Sequence, residues 1–479
     1  MSPHTPLVVL LSLVAALALW TYTSKRTNAM RYLFPGVAAA IVFVIFPMLY
    51  TFGIGFTNYS SVNLLDEERA KTYLLEEAVP APGSAREFTL HAEGEQLRLR
   101  LPAGNGGIAL QTPAFSLNAS GPLTLALEPM NDNGNAALAL KETVLRLEAL
   151  RNLQLREPDG TLLKLLSLRE FAQMQPLFDI QADGALKNRI TGSVYRADPE
   201  QGFFTSADGD RLQLGYRVNV GWRHYASIFS DDKFREPFLG VFIWTVVFAG
   251  LSILFAAGLG LLLAVLLNWD ALPFKGAYRL VLFLPYAVPG FISILVFKGL
   301  FNQNLGEINF ILNGLFGIKP AWFSDPFLAR TMLLIVNVWL GFPYMMVLCT
   351  GLIKSIPADL YEASAVMGAG PWANFRAITL PLILKPLTPL LISAFAFNFN
   401  NFVLISLLTN GRPDQLDATT PAGTTDILVS YTWRIAFQDS GQQFGLASAI
   451  STVIFLIVAA ITLVQLRFTK IADSDDKKH

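Results

Sequence analysis

The sequence predicts an α-helical polytopic membrane protein of about seven transmembrane helices, interrupted by an inserted β-rich domain. Three observations lead there. Of 479 residues, 53% are apolar and only 15% charged, with a mean hydropathy of +0.44, whereas about a quarter of a soluble chain is charged. Apolar runs long enough for a hydrocarbon core of roughly 30 Å, about 20 residues each, recur about seven times. Between residues 58 and 236 the composition turns polar and rich in turn residues, over a length that can bury a core of its own.

Taken in order, the predicted spans cover residues 6–22, 32–57, 237–267, 280–301, 331–353, 381–408 and 444–466. The first is short, and the third is long enough to tilt or to extend beyond the lipid. The start has no basic n-region and no clear small-residue cleavage site before Lys25, so an uncleaved anchor is expected rather than a cleaved signal peptide. The chain divides into two N-terminal spans (residues 1–57), the inserted domain (58–236) and a membrane core (237–479).

Lys25, Arg26 and Arg31 lie between spans one and two, Lys275 and Arg279 between three and four, and Lys354 and Arg376 between five and six. Arg467, Lys470, Lys477 and Lys478 follow span seven. These short segments share one parity, so the positive-inside rule makes them cytoplasmic, with the C-terminus. The N-terminus and the long loop then lie outside. The basic residues of that loop do not oppose this, because long translocated domains escape the rule.

Within the loop, strict alternation at residues 96–101, 123–127 and 212–220 predicts half-buried strands. Asp159-Gly160, Asp208-Gly209, residues 103–107 and residues 130–134 read as turns. Helices are expected at 66–77 and 141–151. Nothing in the domain looks catalytic, so it serves either to grip a soluble partner or to stabilise the assembly.

Several chemistries are excluded. Cys349 is the single cysteine, inside an apolar run, and forms neither an internal disulfide nor a CxxC site. His4, His91, His224 and His479 are too scattered for a metal centre, and HExxH is absent. There is no GxxxxGK[ST], so nucleotide hydrolysis must come from another chain. A net charge of zero without a compact basic cluster gives no footing for nucleic acid.

Amides inside spans need hydrogen-bond partners. Asn398 and Asn401 are three apart on span six, with Phe397 and Ala394 near the same face, and span five carries Asn337, Leu340, Gly341 and Tyr344 at spacings of three and four. Two readings fit. Amides with an aromatic ring suit a sugar, whose hydroxyls need replacements for water and whose ring has an apolar face. The same amides can instead join helices, at on the order of 1 kcal/mol each. Pro285, Pro289, Pro343, Pro386 and Pro389 favour kinks.

Between spans five and six stands YEASAVMGAGPWANFRAITLP, starting at Tyr361. It reads as two short helices at a membrane face: Pro357 suits a first turn, Gly370-Pro371 separates the helices, and Leu380-Pro381 marks re-entry into lipid. Such a pair is usually a docking surface. Glu362-Ala363-Ser364-Ala365, Gly368, Ile378 and Leu380-Pro381 resemble the EAA signature of the permease subunits of binding-protein-dependent bacterial ABC importers. FAFNFNNF from Phe395 and NVWLGFPY from Asn337 are similar to the large permeases of the maltose/maltodextrin type, a likeness running from about Arg31 to about Leu466.

The resemblance implies a coupling segment at 355–381, with Glu362, Ala363, Ser364, Ala365, Gly368, Ala369 and Gly370 against an ATPase subunit. It implies a sugar site at Asn337, Leu340, Gly341, Tyr344, Phe397, Asn398 and Asn401. It further implies a second related permease, two ATPase subunits holding ATP and Mg, a periplasmic sugar-binding protein engaging the outer domain, and a multi-pass place in the inner membrane. This chain itself is then expected to bind no cofactor or metal and to catalyse no reaction. Two residues depart from the family pattern: Ala394 stands where a serine is usual, with Ser393 one step earlier, rotated about 100°, and Met367 replaces an acidic residue before Gly368. One further N-terminal helix is usual in the family.

Other readings stay open: a permease for another oligosaccharide or sugar, an ion-coupled secondary transporter, or a membrane-anchored structural or sensory protein. The ion-coupled reading finds neither a buried acidic pair nor an obvious internal repeat.

Overall fold

The computed structural model describes residues 5–24, 27–94, 96–103, 108–116, 123–130, 136–269, 271–415, 418, 421–438 and 441–475. His4, Lys25, Arg26, Lys477, Lys478 and His479, most of the two expected turns at 103–107 and 130–134, and the side chains of Arg467 and Lys470 lie outside this set. The chain forms two compact units, residues 62–217 and the remainder.

The first two spans are α1 (Thr5–Thr23) and α2 (Met30–Ile54). Midway, α2 widens into a π-turn at Ile41–Ile45, where the Phe46 N–H reaches back to the Ile41 carbonyl. The next residue is Pro47, which has no N–H and whose ring would strike the preceding turn. A one-residue slip relieves both problems.

In the inserted unit α3 (Glu67–Glu76) is capped by Asp66, whose carboxylate accepts the Arg69 N–H at 3.0 Å. Strands form three sheets among the described residues. One of them pairs Leu123–Ala126 in parallel with Leu153–Arg156; a parallel pair needs a long crossover, and α4 (Leu140–Leu145) and α5 (Leu147–Arg151) lie on it. The core gathers Leu90, Leu99, Leu101, Leu150, Leu153, Leu155, Leu163 and Phe171.

Two expectations are corrected here. Helix 141–151 breaks at Arg146, whose side chain donates to the Glu142 carbonyl at 3.0 Å; its own N–H turns to the Thr143 carbonyl, and the backbone leaves the helical region at φ −108°, ψ 10°. Residues 212–220 form only isolated bridges, not a strand. Their apolar positions go to separate anchors: Tyr216 is buried against Phe204, ring centres 5.3 Å apart, and Asn63 ties its carbonyl at 3.1 Å. Asp159-Gly160 and Asp208-Gly209 do turn, each glycine with positive φ (92° and 86°).

In the membrane unit α6 (Arg223–Ser230) precedes the long α7 (Asp232–Asn268). The fourth span is α8 (Lys275–Ala287) and α9 (Gly290–Leu300), bent by 90° at Val288-Pro289. Val288 precedes a proline and is extended, at φ −87°, ψ 131°. After α10 (Glu307–Phe316) comes the fifth span, α11 (Pro326–Lys354), begun by an Asp325 cap.

The closest packing joins α7 to α11. Ser252, Ala256, Gly260 and Ala264 recur every fourth residue and present a small-residue stripe. A Cβ added at Gly260 would fall 2.7 Å from the Met346 nitrogen and 2.7 Å from the Met345 Cβ, and one at Gly341 would touch Ala256. A Gly260→Leu chain is therefore expected to lose about 3 kcal/mol of packing, the upper end of the overpacking range, read as a sharp fall in the melting temperature of detergent-purified protein. An unchanged melting temperature would deny that this contact is tight.

The expected coupling segment opens with α12 (Ala358–Val366). Its second half is not a separate helix. Residues Pro371–Phe399 run as one 29-residue helix, α13, through a π-turn at Phe375–Thr379 where the Leu380 N–H reaches Phe375, again directly before a proline, Pro381. The sixth span also ends earlier than the sequence suggests. Asn400 leaves the helix, and Asn401 starts a new one, α14 (Phe402–Leu408), its side chain accepting the Leu404 N–H at 3.4 Å. Then α15 (Leu428–Trp433) continues as a π-turn to Gln438 before the seventh span, α16 (Phe444–Asp475).

Between α14 and α16 sits a charged knot. Arg434, 7% exposed, donates to the fully buried Asp426 at 2.8 Å and to Asp414. Asp426 also accepts from the Gly423 N–H (2.8 Å) and the Ser430 hydroxyl (2.7 Å). Burial pushes the Asp426 carboxyl above its ordinary value, against the pull of the Arg434 guanidinium.

Candidate functional site: a polar cavity and an exposed coupling face

The seven residues singled out on spans five and six all border one cavity of about 990 Å³. Helix α11 supplies Asn337, Leu340, Gly341 and Tyr344, one face at helical spacing, and α13 with its C-terminal break supplies Phe397, Asn398 and Asn401. Because α13 stops at Phe399, Asn401 comes from the junction and not from the helix face that the sequence suggests.

The three amides form a chain. Asn401 Nδ2 donates to Asn337 Oδ1 at 3.2 Å, Asn337 Nδ2 donates to Asn398 Oδ1 at 2.6 Å, and Asn398 Nδ2 donates to the Ala394 carbonyl at 2.8 Å. Asn337 is buried, at 7% exposure. The amides satisfy one another, as the helix-joining reading requires. The rings beside them behave differently: Tyr344 is 43% and Phe397 70% exposed, at a cavity wall. The amides thus join helices, as one reading of the sequence expects, while bordering the cavity that the other requires.

Sequence reasoning missed one wall. The broken fourth span contributes Pro285, Tyr286, Pro289 and Phe291, and α7 contributes Ser252 and Ala256. The available signal was a tyrosine between two prolines at lipid depth. Ser393 and Ala394 both border the cavity, but the Ser393 hydroxyl already donates to the Pro389 carbonyl at 3.0 Å. None of the bordering side chains is charged. Among the described residues no cluster of three His, Cys, Asp or Glu offers a metal site.

In the segment expected to couple, Ser364 is buried and its hydroxyl donates to Asn374, while the Tyr361 hydroxyl shares a hydrogen bond of 2.9 Å with Thr379 Oγ1. These bonds clamp α12 onto the first turns of α13. Gly368 has φ +78°, which an L side chain adopts only with strain, and the Ala369 N–H closes the turn on the Ser364 carbonyl at 3.1 Å. Glu362, Ala363, Ala365 and Gly370 are exposed. So are Val366 (89%), Met367 (81%) and Trp372 (73%), a large apolar surface that soluble monomers rarely leave open.

Comparison with known proteins decides the family. Residues 65–221 match the profile of the maltose transport system permease protein MalF P2 domain, and residues 256–474 that of the binding-protein-dependent transport system inner membrane component. The maltose/maltodextrin transport system permease protein MalF of Escherichia coli K12 is 49% identical over 465 residues, covering 96% of this chain and 90% of the relative. The chain belongs to the MalF family of transport permeases. The MalF of Vibrio parahaemolyticus is 48% identical over 470 residues, covering 96% of this chain and 89% of the relative. Among solved structures, a bacterial ABC transporter involved in the import of alginate covers 52% of this chain and 83% of its own, at 22% identity and a TM-score of 0.46. For a MalF-family chain the expected architecture holds, with up to seven helical spans and an inserted β-rich domain.

Proposed function

We propose that this chain is the permease subunit of an ATP-driven importer that carries maltose and maltodextrins across the bacterial inner membrane by alternating access. The observation that supports it most directly is the cavity itself, bordered by amides and aromatic rings and by no charged group. A proton-coupled carrier needs an ionisable side chain, an Asp, Glu or His, at that depth, and none borders this cavity, whereas a sugar needs none. The relatives that match over nearly the whole chain are maltose/maltodextrin permeases.

In this reading a second permease completes the path, and two ATPase subunits holding ATP and Mg grip the exposed face of α12 and the start of α13. The chain itself then hydrolyses nothing. The inserted domain and the N-terminus lie on the periplasmic side, where a sugar-binding protein meets the domain, and the C-terminus is cytoplasmic. Closure of the ATPases displaces the clamped α12–α13 junction, and α13 carries the movement to Asn398. The sugar hydroxyls then take over the amide hydrogen bonds, while Tyr344 and Phe397 stack on the apolar ring faces.

Replacing Tyr344 by Ala is expected to raise the half-saturating maltose concentration about tenfold, on the order of 1.4 kcal/mol, with the complex still assembled. Uptake by the reconstituted complex over a panel of sugars, with ATP hydrolysis followed in parallel, checks this. Normal uptake at limiting maltose would return Tyr344 to packing, and a preference for another glycan would select the alternative substrate.

A further inference from the structure

A line of touching aromatic rings starts at the cavity. Phe402 borders it. From there the ring of Phe402 meets Trp433 (centres 5.4 Å apart), Trp433 meets Phe437 (4.2 Å), Phe437 meets Phe444 (5.8 Å) and Phe444 meets Tyr59 (5.3 Å). These rings belong to α14, α15 with its π-turn, the start of α16 and the segment after α2. In chain parity all lie on the side opposite the coupling segment.

The middle of the line is open, with Trp433 42% and Phe437 50% exposed. Amides accompany it. Asn400 borders the cavity beside Phe402, and Gln438, next to Phe437, donates to Asn410 at 3.4 Å. Exposed rings that merely met lipid at an interface would not need to touch one another in sequence, nor to begin at a polar cavity. Rings with amides at their edges offer a glycan what the cavity offers: apolar faces for the C–H side of each pyranose and donors for its rim.

We propose that this aromatic line is an extended subsite that receives the glucosyl units of a maltodextrin protruding beyond the cavity. The proposal rests on the sugar-importer reading above. It makes chain length a property of the permease: maltose is held by the cavity alone, and each further unit gains a ring.

The test uses the complete reconstituted transporter with its binding protein, and compares maltose with maltoheptaose at limiting concentration. Trp433→Leu and Phe437→Leu keep apolar bulk and remove the ring. Each is expected to lower the ratio of maltoheptaose to maltose uptake about five-fold, the equivalent of roughly one lost ring contact, while Trp433→Tyr retains the ratio. An unchanged ratio overturns the proposal. So does a parallel fall for both sugars, which would mean that the rings pack against the second permease or lipid. A wild-type transporter that moves neither sugar overturns the importer reading, and this subsite with it.

Discussion

A Glu362→Lys permease is expected to insert into the membrane at normal levels, to recover less than about a tenth of the wild-type amount of ATPase on purification, and to lose uptake in proportion. The reason is local. Glu362 stands on the exposed side of α12, among Val366, Met367 and Trp372, whereas Ser364 and Tyr361 are turned inward and hold the two helices together. Reversing the charge changes the docking face without touching the clamp. With Met367 in place of the usual acidic residue, Glu362 carries most of the negative charge beside the turn at Gly368. Glu362→Gln, which keeps shape and hydrogen bonding, should lose much less. Equal ATPase recovery from wild type and Glu362→Lys would refute the docking assignment.

Arg434→Leu should cost about 3–5 kcal/mol, because it leaves the fully buried Asp426 without its cation. The expected readout is a large drop in melting temperature and in yield of the purified complex. Its pH dependence has a definite sign. Asp426 already sits above its ordinary value through burial, and loss of the guanidinium raises it further. A carboxyl with a raised folded pKa contributes stability that is complete below the unfolded pKa and is lost as pH rises through the folded one. The deficit of the variant should therefore be smaller at pH 5 than at pH 8. A deficit that grows toward pH 5 would show that the knot is not what the substitution breaks.

Much of this architecture is legible in the chain, and the places where it is not share a cause. Spans are visible because hydrocarbon demands long apolar runs, and the lining positions 337, 340, 341 and 344 are visible because a helix repeats its faces. The end of α13 is hidden: FVLISLL after Asn401 is as apolar as the helix before it, so only the capping of α14 by Asn401 reveals the break. The prolines at 285 and 289 announce a kink, but its 90° angle, made at the extended Val288, is not written in the sequence. Residues 212–220 alternate like a strand, yet Tyr216 finds a core instead of a ladder. Asp414, Asp426 and Arg434 read as ordinary loop charges, because their meeting depends on how the segment folds back on itself.

The unbroken course of α13 decides what kind of motion can reach the cavity. At about 1.5 Å per residue its 29 residues form a strut of about 43 Å, clamped to α12 near one end and carrying Asn398 near the other. In the proposed importer the ATPases push at the α12 end, and a strut that pivots among its neighbours returns that push as an opposite swing at the amide end. The 2.6 Å bond between Asn337 and Asn398 does not survive a swing of even an ångström or so. In the proposed importer the amides would change partners as the strut pivots, so that the grip on sugar follows the mechanical cycle.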